Sequence, residues 1–214
     1  MIYLIDTIKY LADGALVSIK IFTVTLCLSL PFGILIGVLY KSRGKLIQKG
    51  ISFYTWLFRG TPLMLQLFFF MYGLPALGIS VDRMMVAYIG FILNYSAYFT
   101  EIVRAGIESI SKEQFEASRV EGASNFQLYR FIILPQAIRK EIPSITNEVI
   151  TLIKDTALVS VIALSDLLRN VKEIVSRDFT ISPFILAAIF YLIFSFLIVT
   201  IFRKLELKYD FLDI

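Results

Sequence analysis

The sequence contains no histidine and a single cysteine, Cys27, among its 214 residues. Without histidine, the chain lacks the side chain that most often serves as general base and metal ligand near neutral pH. One cysteine inside an apolar run cannot form a disulfide framework or a cysteine-rich metal site. These absences weaken most enzymatic interpretations, and we expect neither catalytic residues nor a metal site in this chain.

Charged residues are also scarce, at 18% of the chain compared with 57% hydrophobic residues. A soluble domain usually carries about 25% charged residues. The net charge of +4 could suggest a nucleic-acid partner. The basic residues lie mainly in three connections between apolar runs, however, and this pattern favours membrane orientation. The start of the chain lacks a basic leading region and a small-residue cleavage site, so we expect the first span to direct insertion.

The apolar runs are long enough to cross a bilayer, which takes about 17–25 residues of helix. They predict an all-α integral membrane protein with about five transmembrane helices in a single domain, residues 1–214. The predicted spans are residues 15–40, 56–77, 83–106, 140–165 and 179–202. The fourth contains Glu148, Lys154 and Asp155; it is counted because without it the long basic connection before it and the C-terminal tail could not both be cytoplasmic. Residues 2–19 are either an interfacial helix or the outer extension of the first span.

Basic residues indicate which way the chain is inserted. They follow the first, third and fifth spans: Lys41, Arg43, Lys45, Lys49; Lys112, Arg119, Arg130, Arg139, Lys140; and Arg203, Lys204, Lys208. The other connections hold fewer, namely Arg83, Arg169, Lys172 and Arg177. The positive-inside rule then places the N-terminus outside and the C-terminus in the cytoplasm.

Polar residues within the predicted spans form two stripes. The fourth span carries Ser144, Glu148, Thr151 and Asp155 at helical spacing, and the third carries Gly90, Asn94, Tyr98 and Glu101. Charged side chains at membrane depth usually face a protein interior or a water-filled pathway, so two adjacent stripes predict one cavity. Two structural alternatives remain open. Ser, Thr and Asn could bond neighbouring helices, and Lys154 could form an ion pair with Glu148 or Asp155.

The start of the second span, "FRGTPLMLQ", predicts an interruption of the helix. Gly60 and Pro62 flank Thr61, so regular helix is expected only after Thr61. Free backbone N–H groups at such an end suit an anionic group such as a carboxylate. The alternative is an ordinary helix start with Pro near the first position and Arg59 at the membrane interface.

Residues 111–135 form a polar segment between the third and fourth spans. Ser111 with Gln114, and Ser124 with Gln127, fit capping boxes that begin two helices. Gly122 suits a left-handed helix end between them, and Pro135 is expected to stop the second. A helix, a sharp turn and a second helix are more than a simple connector needs, although a helical loop on the membrane surface remains an alternative.

This segment resembles the signature of permease subunits of bacterial ABC importers. Glu116-Ala117-Ser118, Gly122, and then Ile132, Leu134 and Pro135 match "EAA…G…I-LP", with Ser118 in place of the third signature residue. Four further stretches are similar to the polar amino acid branch of that family, which includes histidine, glutamine, arginine and cystine permeases. They are "RGTPLMLQL", "NYSAYFTEIVRAGI", "LPQAIRKEIPSITNE" and "LIKDTALVSVIALSDL".

The resemblance implies a type I importer permease fold in a bacterial inner membrane, with a coupling helix that docks on a separate cytoplasmic ATPase. It also implies a second permease chain, identical or not, and an external substrate-binding protein. ATP and Mg²⁺ would bind to the ATPase, because this chain has no phosphate-loop motif. Coupling is expected at Glu116, Ala117, Gly122, Ile132, Leu134 and Pro135.

The substrate pathway is expected at Thr61, Asn94, Tyr98, Glu148, Thr151 and Asp155, with Thr61 near the substrate carboxylate. These residues are chosen mostly from the polar stripes. The predicted function is therefore ATP-driven import of a polar amino acid by alternating access. The alternatives are an ion-gradient-driven transporter or channel that uses Glu148, Lys154 and Asp155, and a scaffold protein without a transport role.

Overall fold

A computed structural model describes residues 2–42 and 44–210, and this part of the chain is helical without any β-strand. The helices are α1 Ile2–Ser42, α2 Lys45–Gly60, α3 Leu63–Phe68, α4 Leu74–Ala76, α5 Arg83–Glu108, α6 Lys112–Val120, α7 Asn125–Gln127, α8 Leu134–Lys140, α9 Ile142–Asp155, α10 Leu167–Asp178 and α11 Ser182–Asp210. Two π turns cover Phe69–Gly73 and Leu128–Ile133, and a 3-10 helix covers Thr156–Ile162. The all-α prediction is confirmed. Arg43, one of the predicted orienting residues, lies outside the described residues.

Three of these helices are long and apolar enough to cross a membrane. They are Ile5–Lys41 of α1, the whole of α5, and Ser182–Leu207 of α11. The pair Lys45–Gly60 and Leu63–Ala76 could form one further span, although its halves are bent by 100°. Helix α9 with the 3-10 helix, where the fourth span is predicted, is not among the candidates found in the described chain. The count of five spans stays a prediction.

Helix α1 runs without interruption from Ile2 to Ser42. Residues 2–19 are therefore an extension of the first helix and not a separate interfacial helix. Helix α5, Arg83–Glu108, agrees closely with the predicted third span. Helix α11 begins at Ser182, three residues later than predicted, because Phe179 adopts a left-handed conformation (φ 49°) that ends α10.

Helix α5 forms the centre of the core. Its largest side chains, Phe91, Tyr95 and Phe99, are fully buried. Residues from α1, α3 and α9, such as Ile21, Leu67 and Val149, pack around them in one apolar cluster. At the other extreme, an 18-residue apolar window of α11 is only 11% buried, so most of this helix faces outward.

The contact between α1 and α5 depends on small residues in α1. A Cβ atom added at Gly33 would lie 2.4 Å from the Cβ of Phe99, and one added at Gly37 would lie 2.9 Å from Cγ1 of Val103. Glycines let two helix backbones approach this closely in a membrane protein. The buried Thr25 and Ser29 continue the same face of α1.

Two prolines follow π turns; the helix ends soon after the first, at Ala76, but continues past the second. The first π turn precedes Pro75 in α4, and the second precedes Pro135 in α8. Proline inside a regular α-helix clashes with the carbonyl four residues earlier, and the wider π turn relieves this clash. The prediction that Pro135 stops the helix is therefore wrong, because α8 continues to Lys140.

The polar segment contains the predicted turn. Gly122 has a φ of +83°, as expected for a left-handed helix end. Ser124 and Gln127 form the complete capping box. Ser111 occupies the N-cap position of α6 but makes no capping bond to the backbone. The backbone N–H of Glu113 and then the Ser111 hydroxyl favour the charged form of the Glu113 carboxylate, so the pKa of Glu113 lies below its usual value.

Candidate functional site

The break between α2 and α3 confirms the predicted interruption at Thr61. Helix α2 ends at Gly60, Thr61 is extended (φ −120°, ψ 142°), and α3 begins at Leu63. The proline ring at position 62 disfavours helical geometry at the residue before it, which explains the extended Thr61. The second predicted span, residues 56–77, is therefore not one continuous helix.

Two buried amide side chains satisfy the backbone at this break. The end of α2 leaves carbonyl groups without helical partners. Gln66 Nε2 donates to the carbonyls of Phe58 (2.9 Å) and Thr61 (3.1 Å), and to Thr61 Oγ1 (2.8 Å). Asn94 Nδ2 of α5 donates to the Phe58 carbonyl (3.0 Å) and to Gln66 Oε1 (3.1 Å). Asn94 thus joins neighbouring helices by hydrogen bonds, which is the structural role that the sequence analysis left open for Asn within the spans.

A cavity of about 430 Å³ lies beside the broken helix. All six residues predicted for the substrate pathway line it: Thr61, Asn94, Tyr98, Glu148, Thr151 and Asp155. Six further residues complete the wall: Arg59, Gly60, Pro62, Leu63, Tyr95 and Leu158. Members of both predicted polar stripes therefore face one space.

The cavity contains charged groups of both signs. Glu148 and Asp155 lie on the same face of α9, and Asp155 Oδ2 accepts a hydrogen bond from the Tyr95 hydroxyl at 2.8 Å. Lys154 is exposed, and among the described residues it forms no ion pair with either carboxylate. No ion pair within 4 Å in the described part of the chain therefore supports the ion-pair alternative in this conformation, and Arg59 lines the same cavity as the two carboxylates.

A second cavity of about 520 Å³ shares Arg59, Tyr98 and Glu148 with the first. Its wall includes Glu101 and Ser144, so these members of the stripes face the second space and not the first. Gly90 lines neither cavity. A Cβ atom there would lie 2.8 Å from Leu67, so this glycine serves the packing of α3 on α5.

Three important residues were missed by sequence reasoning. Arg59 was considered only at the membrane interface, in the alternative of an ordinary helix start, and it lines both cavities. Gln66 and Tyr95 were not identified, although each adds a buried polar group at the break or at the cavity. The useful signal for Gln66 was its position within "LMLQL", where a single amide in an apolar stretch needs a hydrogen-bond partner.

The predicted coupling residues lie in the polar segment, apart from both cavities. Glu116, Ala117, Gly122 and Pro135 are exposed. Ile132 and Leu134 are half-buried and pack on a small cluster that includes Val103 and Leu128. Ser118, the variant position of the signature, is buried, and its hydroxyl donates to the Gln114 carbonyl at 2.7 Å.

Long apolar helices beside a polar cavity with a broken-helix wall are typical of membrane transport proteins. Residues 29–210 match the family described as "Binding-protein-dependent transport system inner membrane component", and the chain belongs to that family. It is therefore the permease subunit of an ABC importer and not an enzyme. This result decides against the ion-gradient and scaffold alternatives.

Named relatives and a solved structure agree with this assignment. The chain is 36% identical over 203 residues to a Rickettsia bellii protein named as a glutamine transport system permease, GlnP, covering 94% of this chain and 93% of the relative. It is 34% identical to the arginine transport system permease protein ArtQ of Bacillus subtilis, covering 95% and 94%. A crystal structure of an amino acid ABC transporter with histidines matches with a TM-score of 0.86 and 29% identity, covering 97% of both chains.

Membership of this family implies the kinds of partner. A binding-protein-dependent permease works with an ATPase, with a substrate-binding protein and with a second permease chain. The family description and the apolar helices together make the chain a multi-pass protein of an inner membrane.

Proposed function

We propose that this chain carries an amino acid across the inner membrane through the 430 Å³ cavity. The main support is that six polar residues from three separate segments of the sequence line one cavity. A volume of this size is within the range of small-molecule sites. The relatives named for glutamine and arginine transport support an amino acid substrate.

The charges of the cavity suit the ends of an amino acid. Glu148 and Asp155 attract an ammonium or guanidinium group, because attraction between opposite charges is strong in a partly desolvated site. Thr61, Thr151 and Tyr98 supply hydroxyl groups on the facing walls. Asn94 contributes by holding the broken helix in place, since its amide donates to Phe58 and Gln66.

The polar segment is the proposed docking site for the ATPase. Glu116, Ala117 and Gly122 present an exposed surface, and Val120 and Phe126 beside them are 87% and 70% exposed. Exposed apolar side chains of this size are typical of protein interfaces. Ile132, Leu134 and Pro135 then connect the docking surface to α8. In this proposal ATP and Mg²⁺ bind to the ATPase, the N-terminus lies outside and the C-terminus lies in the cytoplasm.

Replacement of Glu148 tests the substrate site. Glu148→Gln keeps the shape of the side chain and removes its charge, so uptake at low substrate concentration should fall about tenfold or more, as expected for the loss of a charge-assisted bond. The measurement is uptake of labelled L-glutamine and L-arginine into vesicles that contain the permease, its ATPase and its binding protein.

Glu206→Gln is the matched control, because Glu206 is exposed near the end of α11. Uptake by the control should equal that of the wild type. Unchanged uptake by Glu148→Gln would remove the central member of the proposed site.

A further inference from the structure

Arg59 occupies the boundary between the two cavities. It lies in the last turn of α2, directly before the break, and it lines both the 430 Å³ cavity and the 520 Å³ cavity. The second cavity extends towards α8 and the end of α5, because its wall includes Arg104 and Glu141. A substrate moving from one space to the other would pass this guanidinium group.

Glu101 holds Arg59 only weakly. Arg59 Nη1 lies 3.7 Å from Glu101 Oε2, beyond hydrogen-bond distance. Arg104 occupies the same oxygen much more closely, with Nη2 at 2.6 Å and Nε at 2.9 Å. The Glu101 carboxylate is therefore already neutralised by Arg104, and Arg59 is the loosely bound partner in this cluster.

The ring of Tyr98 supports Arg59 without using its hydrogen bonds. The guanidinium carbon lies 5.3 Å from the ring centroid, in the range of a cation–π contact. Such a contact uses the face of the guanidinium plane and leaves its N–H edge free for a carboxylate. A planar fork of donors matches a carboxylate group in two places at once.

We propose that Arg59 binds the α-carboxylate of the transported amino acid and exchanges it for Glu101 when the substrate leaves. This inference rests on the proposed function of the cavity. The exchange keeps the guanidinium beside a negative charge at every stage, because the Glu101 carboxylate lies 3.7 Å from it when the substrate is absent. Glu101 is a positioning residue that offers Arg59 an alternative partner and so assists release.

The proposal makes opposite predictions for two variants. Arg59→Gln removes the partner of the substrate carboxylate, so the affinity for the amino acid should fall about 10- to 100-fold. Glu101→Gln removes an anion that competes for Arg59, so the substrate should bind more tightly while the maximal uptake rate falls. A merely structural role of the pair predicts weaker binding for both variants.

The experiment compares an amino acid with its α-carboxamide. Equilibrium binding of labelled L-arginine and L-glutamine is measured on the purified permease–ATPase complex, with L-argininamide and L-glutamine α-amide as competitors. The wild-type complex should prefer the acid by about tenfold or more, since the amide lacks the carboxylate charge. Arg59→Gln should bind the acid and the amide equally, and Arg59→Lys should keep part of the preference.

Glu108→Gln is the matched control. Glu108 belongs to the same ionic cluster, pairing with Lys41 at 2.7 Å and with Arg104 at 2.8 Å, but it has no ion pair with Arg59. It should keep the preference of the wild type. An Arg59→Gln complex that still prefers the acid overturns the role of Arg59, even if Glu148→Gln has lost uptake as proposed above. A wild-type complex that binds and transports neither amino acid overturns the proposed function together with this inference.

Discussion

At the scale of single residues, Asn94 combines a place in the cavity wall with a structural task. Its side chain is buried, and its amide joins α5 to the end of α2. A polar residue at helical spacing within a span predicts a polar wall, but it does not tell whether the side chain binds substrate or backbone. The sequence therefore predicted a place for Asn94 in a polar wall and left its hydrogen bonds open.

Because the Asn94 amide joins α5 to the end of α2, its removal should make the protein less stable. Asn94→Ala should lower the unfolding free energy by about 1–3 kcal/mol, because it leaves the buried Gln66 oxygen without its donor. For a protein of this size the melting temperature should fall by about 2–4 °C per kcal/mol. Thermal unfolding of the detergent-solubilised chain measures the change.

The same substitution at Asn147 provides the control, since that residue is exposed on α9. Asn147→Ala should leave the melting temperature unchanged. Equal melting temperatures for Asn94→Ala and the wild type would contradict the bonding role of this amide.

At the scale of helices, the sequence predicted where one helix is interrupted but not where another helix continues through a proline. Gly60 and Pro62 correctly indicated the interruption of the second span. Pro135 was expected to end a helix in the same way, and it does not, because the π turn Leu128–Ile133 before it gives room to the ring. A π turn depends on packing around the helix and has no clear sequence pattern, so this continuation could not be predicted from the proline alone.

The close crossing of α1 and α5 leads to a prediction at this scale. Gly33→Ala would place a methyl group 2.4 Å from the Cβ of Phe99, which cannot move without its helix. Overpacking of this kind typically costs about 1–3 kcal/mol, so the melting temperature should fall by several degrees. Gly50→Ala is the control, because nothing lies within 4 Å of a Cβ atom at Gly50. A Gly33→Ala protein as stable as the control would contradict this account of the helix contact.

At the scale of the whole molecule, a short helical path joins the docking segment to the cavity. The second π turn leads into α8, and α9 follows after Glu141 with Glu148 and Asp155 on its cavity face. Helix α8 also packs tightly on α5, since a Cβ atom at Gly106 would lie 2.8 Å from the Ala137 carbonyl. A displacement of the docking segment would therefore reach α5 and α9, two of the helices that line the cavity.

A substitution at the Gly122 turn tests whether the docking segment is coupled to the ATPase. Gly122→Val forces a branched residue into a left-handed conformation, which costs roughly 1–2 kcal/mol. Nothing lies within 4 Å of a Cβ atom there, so the strain affects the turn and not the surrounding packing. The variant should insert normally, while co-purification with the ATPase falls about 5- to 30-fold.

Gly50→Val is the matched control, because Gly50 is exposed within α2 and away from the docking segment. It should co-purify with the ATPase as the wild type does. Normal association and transport by Gly122→Val would show that this turn does not couple the permease to the ATPase.

The broken helix has a consequence for how this importer could change its substrate. At residues 60–62 the cavity wall is an extended piece of main chain between α2 and α3. Gly60, Thr61 and Pro62 have small side chains, so this wall offers few side-chain groups whose substitution could change the specificity. New specificity would therefore have to arise on the opposite wall, at α9, where single substitutions replace whole charged groups. We expect natural variation among permeases with different substrates to concentrate on that helix and to spare the break.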